Sequence, residues 1–198
     1  MSDEWPVEIR GVTESIVTTR GPDGRYNVAA LGLHAGEPVT ARTWGRTRTR
    51  VNFEREGEGS VQFTRDPVDF VEAALTIREI DESILDSADA WARVEVERRE
   101  TGQEGDTEWI DWELRPVETS VQNRVVPTIN RGHAAVIEAT VAASRLDVPA
   151  YDDEPLEARL AYFADVIERT GGDRELAALD RLYEILDLPE TDQRFESF

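Results

Sequence analysis

Arginine and threonine alternate between Gly45 and Asn52, in the order Gly-Arg-Thr-Arg-Thr-Arg-Val-Asn. Thr47 and Thr49 offer hydroxyl donors, and Arg46 or Arg48 offers a planar guanidinium that matches a phosphate. A helix predicted to begin nearby adds free backbone N–H groups with a partial positive charge. The segment therefore predicts a phosphate site, although it lacks the Gly-rich spacing and Lys of a Walker loop. The alternative is an edge strand and helix whose arginines pair with surface glutamates.

This segment lies in a stretch of the chain without acidic side chains. The sixteen residues between Glu37 and Glu54 contain no Asp or Glu, and neither do the nineteen residues 119–137. The whole chain has 42 acidic and 22 basic residues, all of the latter arginine, and a formal net charge of -20. Such a surface repels phosphate backbones and anionic membranes, so we predict no nucleic-acid or membrane partner. We expect a bound anion at the acid-free stretches.

Small residues form a predicted strand beside this segment, in the run Asn27-Val28-Ala29-Ala30-Leu31 followed by Gly32. Small side chains let a flat ligand approach the backbone, whose N–H and C=O groups can recognise its polar edge. Tight packing within a barrel is the alternative explanation.

Other catalytic chemistry has little support in the sequence. The chain has no Cys and only two histidines, His34 and His133, so thiolate sites and a His-rich metal site are not expected. His133 is the better functional candidate of the two because it lies in the second acid-free stretch. No catalytic residue is identified.

The length of 198 residues allows one domain, or one domain with an appendage. The first residues are acidic and no apolar run reaches the length of a membrane span, so we expect a soluble, cytoplasmic protein. Excess acid without Lys is typical of salt-loving archaea. Codon bias combined with an ordinary acidic surface is the alternative explanation.

The amino-terminal two thirds has the alternation and turn residues of strands, with short helices between them. Asp66-Pro67 is a typical helix start, with Asp66 as the cap. About six strands suggest a closed barrel, with a sandwich as the competing architecture. The predicted strands cover residues 15–19, 25–33, 38–44, 60–64, 90–99 and 107–117, and a short helix covers 49–55.

From Asn130 the apolar residues follow a helical period. Three helices are predicted: the first ends before Pro149, the second ends at Gly171-Gly172 and the third ends at Pro189. Their apolar stripes are explained by core packing. We place the domain boundary between residues 126 and 127, and the carboxyl-terminal region can still belong to the same fold and dimer.

Three blocks of the sequence together resemble the FMN-binding split-barrel proteins, and more narrowly the largely archaeal domain-of-unknown-function family 447. The first block, Glu14–Thr19 followed by Asp23–Gly32, is similar to the strand pair of that family. The second, Thr47–Phe53, is similar to the Ser/Thr-x-Thr-x-x-Asn segment that holds the FMN phosphate. The third, Pro127–Ala139, is similar to the start of the carboxyl-terminal helix.

The resemblance implies a mainly β fold with added helices, namely a split β-barrel with a carboxyl-terminal helical segment, and FMN as the cofactor. It also implies a homodimer. Backbone atoms of Ala30, Leu31 and Gly32 would face the isoalloxazine. The remaining implied contacts are Thr47, Arg48, Thr49 and Asn52 around the phosphate, and Asn130 and Arg131 at the edge of the site. Arg46 is a candidate from the chemistry of the segment alone, because the family commonly has a small residue at that position.

The leading functional hypothesis is a flavin-dependent oxidoreductase that resembles the flavin reductases, with NADH or NADPH as a possible partner. A flavin-binding or flavin-storing protein without turnover is the second hypothesis. A binder of another phosphorylated ligand, using the same Arg-Thr segment, is the third.

Overall fold

The computed structural model describes residues 4–188.

The first two strands form a hairpin around a turn that contains Pro and Gly. Strand β1 (Val12–Arg20) pairs antiparallel with β2 (Tyr26–His34) along their whole length. In the turn, Gly24 has a φ of 89°, which glycine adopts without strain. The predicted hairpin is therefore present, and β1 extends beyond the predicted range at both ends.

The remaining elements follow in a regular order along the chain. They are β3 (Val39–Trp44), α1 (Arg48–Glu56), β4 (Glu58–Thr64), α2 (Pro67–Leu75), β5 (Arg78–Ile80), β6 (Ala88–Glu104), β7 (Thr107–Val121), α3 (Arg131–Ala143), α4 (Asp153–Thr170) and α5 (Asp173–Leu186). Strand β5 was not predicted, and β6 and β7 are longer than predicted.

Six strands close into an antiparallel barrel. Their order is β1-β4-β6-β7-β3-β2, and the β1–β2 pairing closes the ring, while β5 adds a seventh strand beside β2. Closure satisfies strand edges that an open sheet would expose. The closed barrel was the favoured prediction and is confirmed, and the sandwich is excluded.

Alternating residues of the strands fill the barrel. In β7, Ile110, Trp112 and Leu114 are buried, as their alternation with charged residues predicts. Helix α1 adds Phe53, whose ring meets that of Trp112 edge to face at a centroid distance of 5.3 Å. Edge-to-face packing is favourable for aromatic rings. Through Phe53, the barrel core fixes the position of the helix that follows the Arg-Thr segment.

Contacts divide the chain into two units, each with its own core. The barrel unit runs to Arg65 and resumes over Ile77–Val125, and the helical unit comprises Asp66–Thr76 and the residues from Val126 onward. Helix α2, which the sequence analysis placed in the first region, therefore groups with the carboxyl-terminal helices. The predicted start of α2 is confirmed, because the side chain of Asp66 accepts hydrogen bonds from the backbone N–H groups of Val68 and Asp69.

The helical unit packs α2, α3, α4 and α5 around a separate apolar core that includes Val71, Val136, Ile167 and Leu182. The predicted helix end at Gly171 is observed, whereas the predicted stop at Pro189 lies outside the described residues. Within residues 4–188, no helix is both long enough and apolar enough to span a membrane.

Candidate functional site

The barrel wall opens between β2 and β3. These strands pair only at Leu33↔Ala41 and His34↔Thr40, and farther along β2 the strand β5 pairs with Tyr26–Val28. Between these two pairings, the edge of residues 29–32 that faces away from β1 has no strand partner within the described part of the chain. We call residues 29–32 the open edge. Because alternate residues of a strand direct their N–H and C=O groups to the same side, it presents unpaired backbone donors and acceptors.

The open edge is lined by small side chains on one face of β2. Leu31 is buried in the barrel core beside Leu33, which places Ala30 and Gly32 on the opposite face of the strand. The hydroxyl of Ser15 donates to the backbone carbonyl of Leu31 at 2.6 Å and ties the strand to β1. The side chains of the open edge itself are therefore small, although Val12 and the carboxylate of Glu14 from β1 lie beside Gly32.

Helix α1 begins where the chain leaves β3. Thr47 is its N-cap, and its hydroxyl accepts a hydrogen bond from the backbone N–H of Arg50 at 3.2 Å. The first turn contains no acidic residue. Gly45 has a φ of 62° and donates its backbone N–H to the carbonyl of Glu108 at 2.7 Å, which fixes the approach to the helix. The N-terminus of α1 therefore presents positive partial charge at an exposed threonine.

Thr49 and Asn52 lie on the inner side of α1, and both are buried. The hydroxyl of Thr49 accepts from the side-chain amide of Asn27 at 3.3 Å, and the amide of Asn52 donates to the hydroxyl of Thr19 at 3.0 Å. These bonds join α1 to β2 and to β1. The Asn27–Thr49 bond also closes the far end of the opening, opposite the Leu33↔Ala41 pair. In this arrangement both residues position the helix.

The arginines of the segment differ in whether they have a carboxylate partner. Arg48 forms a close ion pair with Glu79 of β5, and Glu79 also lies 3.7 Å from Arg25. Arg46 is exposed and forms no ion pair with any residue that the structure describes. Of these two predicted phosphate partners, Arg46 is the one whose charge is not already neutralised.

Arg50 is also paired. One of its terminal nitrogens lies 2.6 Å from Glu108, and its Nε lies 3.4 Å from Glu54. The hydrogen bond with Glu108 is the main reason that the pKa of Arg50 is raised above its ordinary value. Arg50 therefore braces the turn before α1.

Arg42 stands in a stack on the outer face of β3. Its guanidinium carbon lies 3.8 Å from the ring centroid of Trp109 and 5.5 Å from that of Trp44. It also donates two hydrogen bonds to Asp111, at 2.6 and 2.8 Å, and these bonds lower the pKa of Asp111. This stack holds β3 against β7, so β3 forms a rigid side of the opening.

The remaining two predicted contacts, Asn130 and Arg131, belong to the helical unit. Asn130 is the N-cap of α3, and its side-chain oxygen accepts from the backbone N–H of His133 at 3.3 Å. Arg131 is the first residue of that helix and is exposed. His133 lies 3.6 Å from Glu175, whose carboxylate also accepts from the backbone N–H of Gly172.

Two family models match the chain and together cover most of it. The amino-terminal domain of the protein family of unknown function DUF447 matches residues 13–123, and the DUF447 carboxyl-terminal part matches residues 130–184. The chain belongs to the DUF447 family. No curated protein matches it.

An FMN-bound DUF447 protein from Methanosarcina mazei has a similar solved structure. It is 24% identical, the alignment covers 89% of this chain and 96% of that one, and the TM-score is 0.76. This likeness shows that the two proteins share a fold. A flavoredoxin from Methanosarcina acetivorans (12% identity, 64% and 79% coverage, TM-score 0.42) and the styrene monooxygenase flavin reductase from Pseudomonas putida S12 (15%, 56% and 79%, 0.40) are more distant.

In this DUF447 protein, eight of the predicted site residues lie in the barrel unit, at the opening or on α1, and two lie in the helical unit. The carboxylates that pair with the arginines of the segment, above all Glu79, were not predicted. The sequence offered no local signal for it, because Glu79 is 31 positions from Arg48 and meets it only through the β2–β5 pairing.

Proposed function

We propose that this DUF447 protein binds FMN at the opening between β2 and β3. The observation that carries the proposal is the coincidence of an unpaired strand edge with an exposed helix start whose first turn contains no acidic residue. The FMN-bound state of the Methanosarcina mazei relative, which shares the fold, supports it. Because the identity is low, the assignment to this chain depends on the chemistry of its own residues.

Those residues fit the cofactor. The backbone N–H and C=O groups within Ala30, Leu31 and Gly32 that face away from β1 match the donors and acceptors along the polar edge of an isoalloxazine, while the Leu31 carbonyl also accepts from Ser15. Arg46, Thr47 and the first N–H groups of α1 match a phosphate dianion. Thr49 and Asn52 hold α1 against β2 and β1, and Arg48 would contribute to phosphate binding once Glu79 releases it. The assignment of Asn130 and Arg131, which belong to the helical unit, stays a prediction from the sequence resemblance.

We propose further that the protein is a flavin-dependent oxidoreductase of the flavin-reductase kind, with NADH or NADPH as electron donor. When bound, FMN supplies the redox chemistry, so the chain need only hold the cofactor and leave one face accessible. Backbone groups at the open edge would orient the ring system, and the small side chain of Ala30 would leave room beside it. A homodimer is part of this proposal.

The first experiment is an absorbance spectrum and ligand mass measured on protein purified in high salt. We expect a flavin band near about 450 nm, a property of the cofactor, and the mass of FMN. A colourless protein that also fails to bind added FMN would contradict the proposal. A different phosphorylated molecule in the mass spectrum would instead support a binder of another phosphorylated ligand.

The second experiment separates a reductase from a flavin-storing protein. The flavin-loaded protein is mixed anaerobically with NADH and with NADPH, and the flavin band is followed over time. Loss of the band with either donor supports a reductase. A band unchanged by both donors would contradict the oxidoreductase proposal and favour flavin binding without turnover, while leaving the FMN assignment in place.

A further inference from the structure

Trp44 is the last residue of β3, beside the opening, and its side chain is exposed. The exposed fraction is 41%, whereas the other four tryptophans of the chain are buried or half-buried. Ala41 and Thr43 face the barrel core, so Arg42 and Trp44 lie on the outer face of the strand. A single exposed tryptophan is ordinary at a protein surface, so its meaning depends on what lies beside it.

Trp44 lies across the opening from Ala30. The two pairs that join β2 to β3 set a register, and continuing that register along the opening brings Ala30 level with Trp44. The strands make no pair with each other at this level. Both residues are on the outer faces of their strands, so a small side chain on one side of the opening confronts a large ring on the other. A planar group bound there would meet the backbone of β2 and the indole of Trp44.

The neighbours of Trp44 hold it in place without covering it. The guanidinium carbon of Arg42 lies 3.8 Å from the ring centroid of Trp109 but 5.5 Å from that of Trp44. Arg42 is fixed further by its two hydrogen bonds to Asp111. The backbone of Trp44 is held as well, because Trp44 and Trp109 are paired in the β3–β7 ladder. The indole therefore combines a fixed position with an uncovered surface, which favours the stacking of a planar ligand.

The isoalloxazine of FMN has two unlike ends. Its pyrimidine end is polar and matches the backbone groups of the open edge, whereas its dimethylbenzene end is apolar and gains by leaving water for an apolar surface. Trp44 offers such a surface on the opposite side of the opening. Arg46 and Thr47, which match the phosphate, follow Trp44 almost directly in the chain. Three parts of the cofactor thus have three matching parts in the barrel unit.

We propose that Trp44 stacks against the dimethylbenzene end of the flavin ring and positions the ring in the opening. The inference rests on the FMN binding proposed above and adds a contact that the phosphate chemistry does not require. The reactive centre of the ring lies between the two held ends and remains open to an electron donor. Trp44 is thus a positioning residue, and the affinity that it supplies belongs to the ring and not to the phosphate.

The test compares Trp44→Leu with Trp109→Leu, which removes the same kind of side chain one strand farther from the opening. Flavin-stripped protein is titrated with FMN and with riboflavin, which lacks the phosphate. Trp44→Leu should raise the dissociation constants of both flavins by the same factor, about tenfold, because one ring-on-ring contact is lost. Trp109→Leu should change neither constant by more than about twofold. Trp44→Phe keeps an aromatic ring and should retain most of the affinity.

Flavin emission is a second measurement, and a purely structural role of Trp44 would leave it unchanged. An indole in contact with a flavin ring quenches the emission of that ring. Bound FMN should therefore be dark in wild type and in Trp109→Leu, and brighter in Trp44→Leu and in Trp44→Phe.

Unchanged affinity for both flavins in Trp44→Leu, or emission as dark as in wild type, would overturn this inference and leave the FMN proposal in place. A loss for FMN alone would also overturn it, since Trp44 would then act through the phosphate, and so would an equal loss in Trp109→Leu. Wild-type protein that binds neither flavin would contradict the proposed function itself and this inference with it. Should Trp44→Leu fail to fold, the emission of Trp44→Phe decides, and a flavin as dark as in wild type would overturn the inference.

Discussion

Replacing Arg46 and Arg48 separately tests which arginine holds the ligand phosphate. Arg46 has no carboxylate partner among the described residues, whereas Arg48 is paired with Glu79. A hydrogen bond to a charged group contributes about 1.5 to 3 kcal/mol, and since Arg46 is exposed we take the lower value. Arg46→Ala should therefore raise the dissociation constant of FMN about tenfold.

Arg48→Ala should have a smaller effect. Half of its side chain is exposed, and its charge is already offset by Glu79, so we expect less than about a threefold loss of affinity. Glu79→Gln removes the competing carboxylate and releases Arg48 toward the start of α1. This variant should therefore bind FMN more tightly than wild type, by on the order of threefold.

The assay is a fluorescence titration of flavin-stripped protein with FMN at constant salt. Riboflavin, which lacks the phosphate, is the control ligand, and its affinity should be the same in wild type and Arg46→Ala. An equal loss for riboflavin would show that Arg46 does not act through the phosphate. A greater loss for Arg48→Ala than for Arg46→Ala would refute the reasoning from ion pairs.

Three further predictions concern stability. Because Arg42 lowers the pKa of Asp111, this pair stabilises the fold above the pKa of an unfolded Asp, about 4, and the contribution is lost as pH falls through the lower folded value. Asp111→Asn should cost about 1 kcal/mol at pH 7 and flatten the acid limb of the stability curve in denaturant titrations. Gly132→Ala should lower the melting temperature, because a Cβ would lie 2.5 Å from Gly171 Cα, and overpacking costs about 1 to 3 kcal/mol; an unchanged melting temperature would contradict the close packing. Finally, the melting temperature should rise as KCl approaches molar concentrations. The Debye length there falls to about 3 Å, so the surplus carboxylates behind the net charge of -20 repel one another less.

Local signals predicted most of the fold. The cap at Asp66, the turn before β2 and the alternation around Trp112 depend on residues close in sequence, and each prediction is confirmed. Strand β5 was missed because three residues carry almost no periodic signal, and the strand exists through its pairing with β2. The lengths of β6 and β7 were underestimated because their outer ends are exposed and polar.

The candidate site was predictable in part for the same reason. A helix near residues 49–55 was predicted from local sequence, and the structure has α1 at Arg48–Glu56 with Thr47 as its N-cap. The open edge could not be predicted, since it depends on where β3 and β5 stop pairing with β2. The inward bonds of Thr49 and Asn52 likewise require strands that are 22 and 33 positions away.

The absence of acid from a stretch of sequence proves to be a weaker guide than the absence of acid around a side chain. Of the four arginines between Glu37 and Glu54, three have carboxylate partners from outside the stretch: Asp111 for Arg42, Glu79 for Arg48 and Glu108 for Arg50. The fold thus brings carboxylates to most of the stretch. Of these four arginines, Arg46 alone forms no ion pair with a residue that the structure describes. Arg46 lies between the end of β3 and the start of α1, next to the backbone N–H groups that the helix leaves free at its N-terminus. It is this second coincidence, between charge and geometry, that makes an anionic ligand with a flat polar edge the expected occupant.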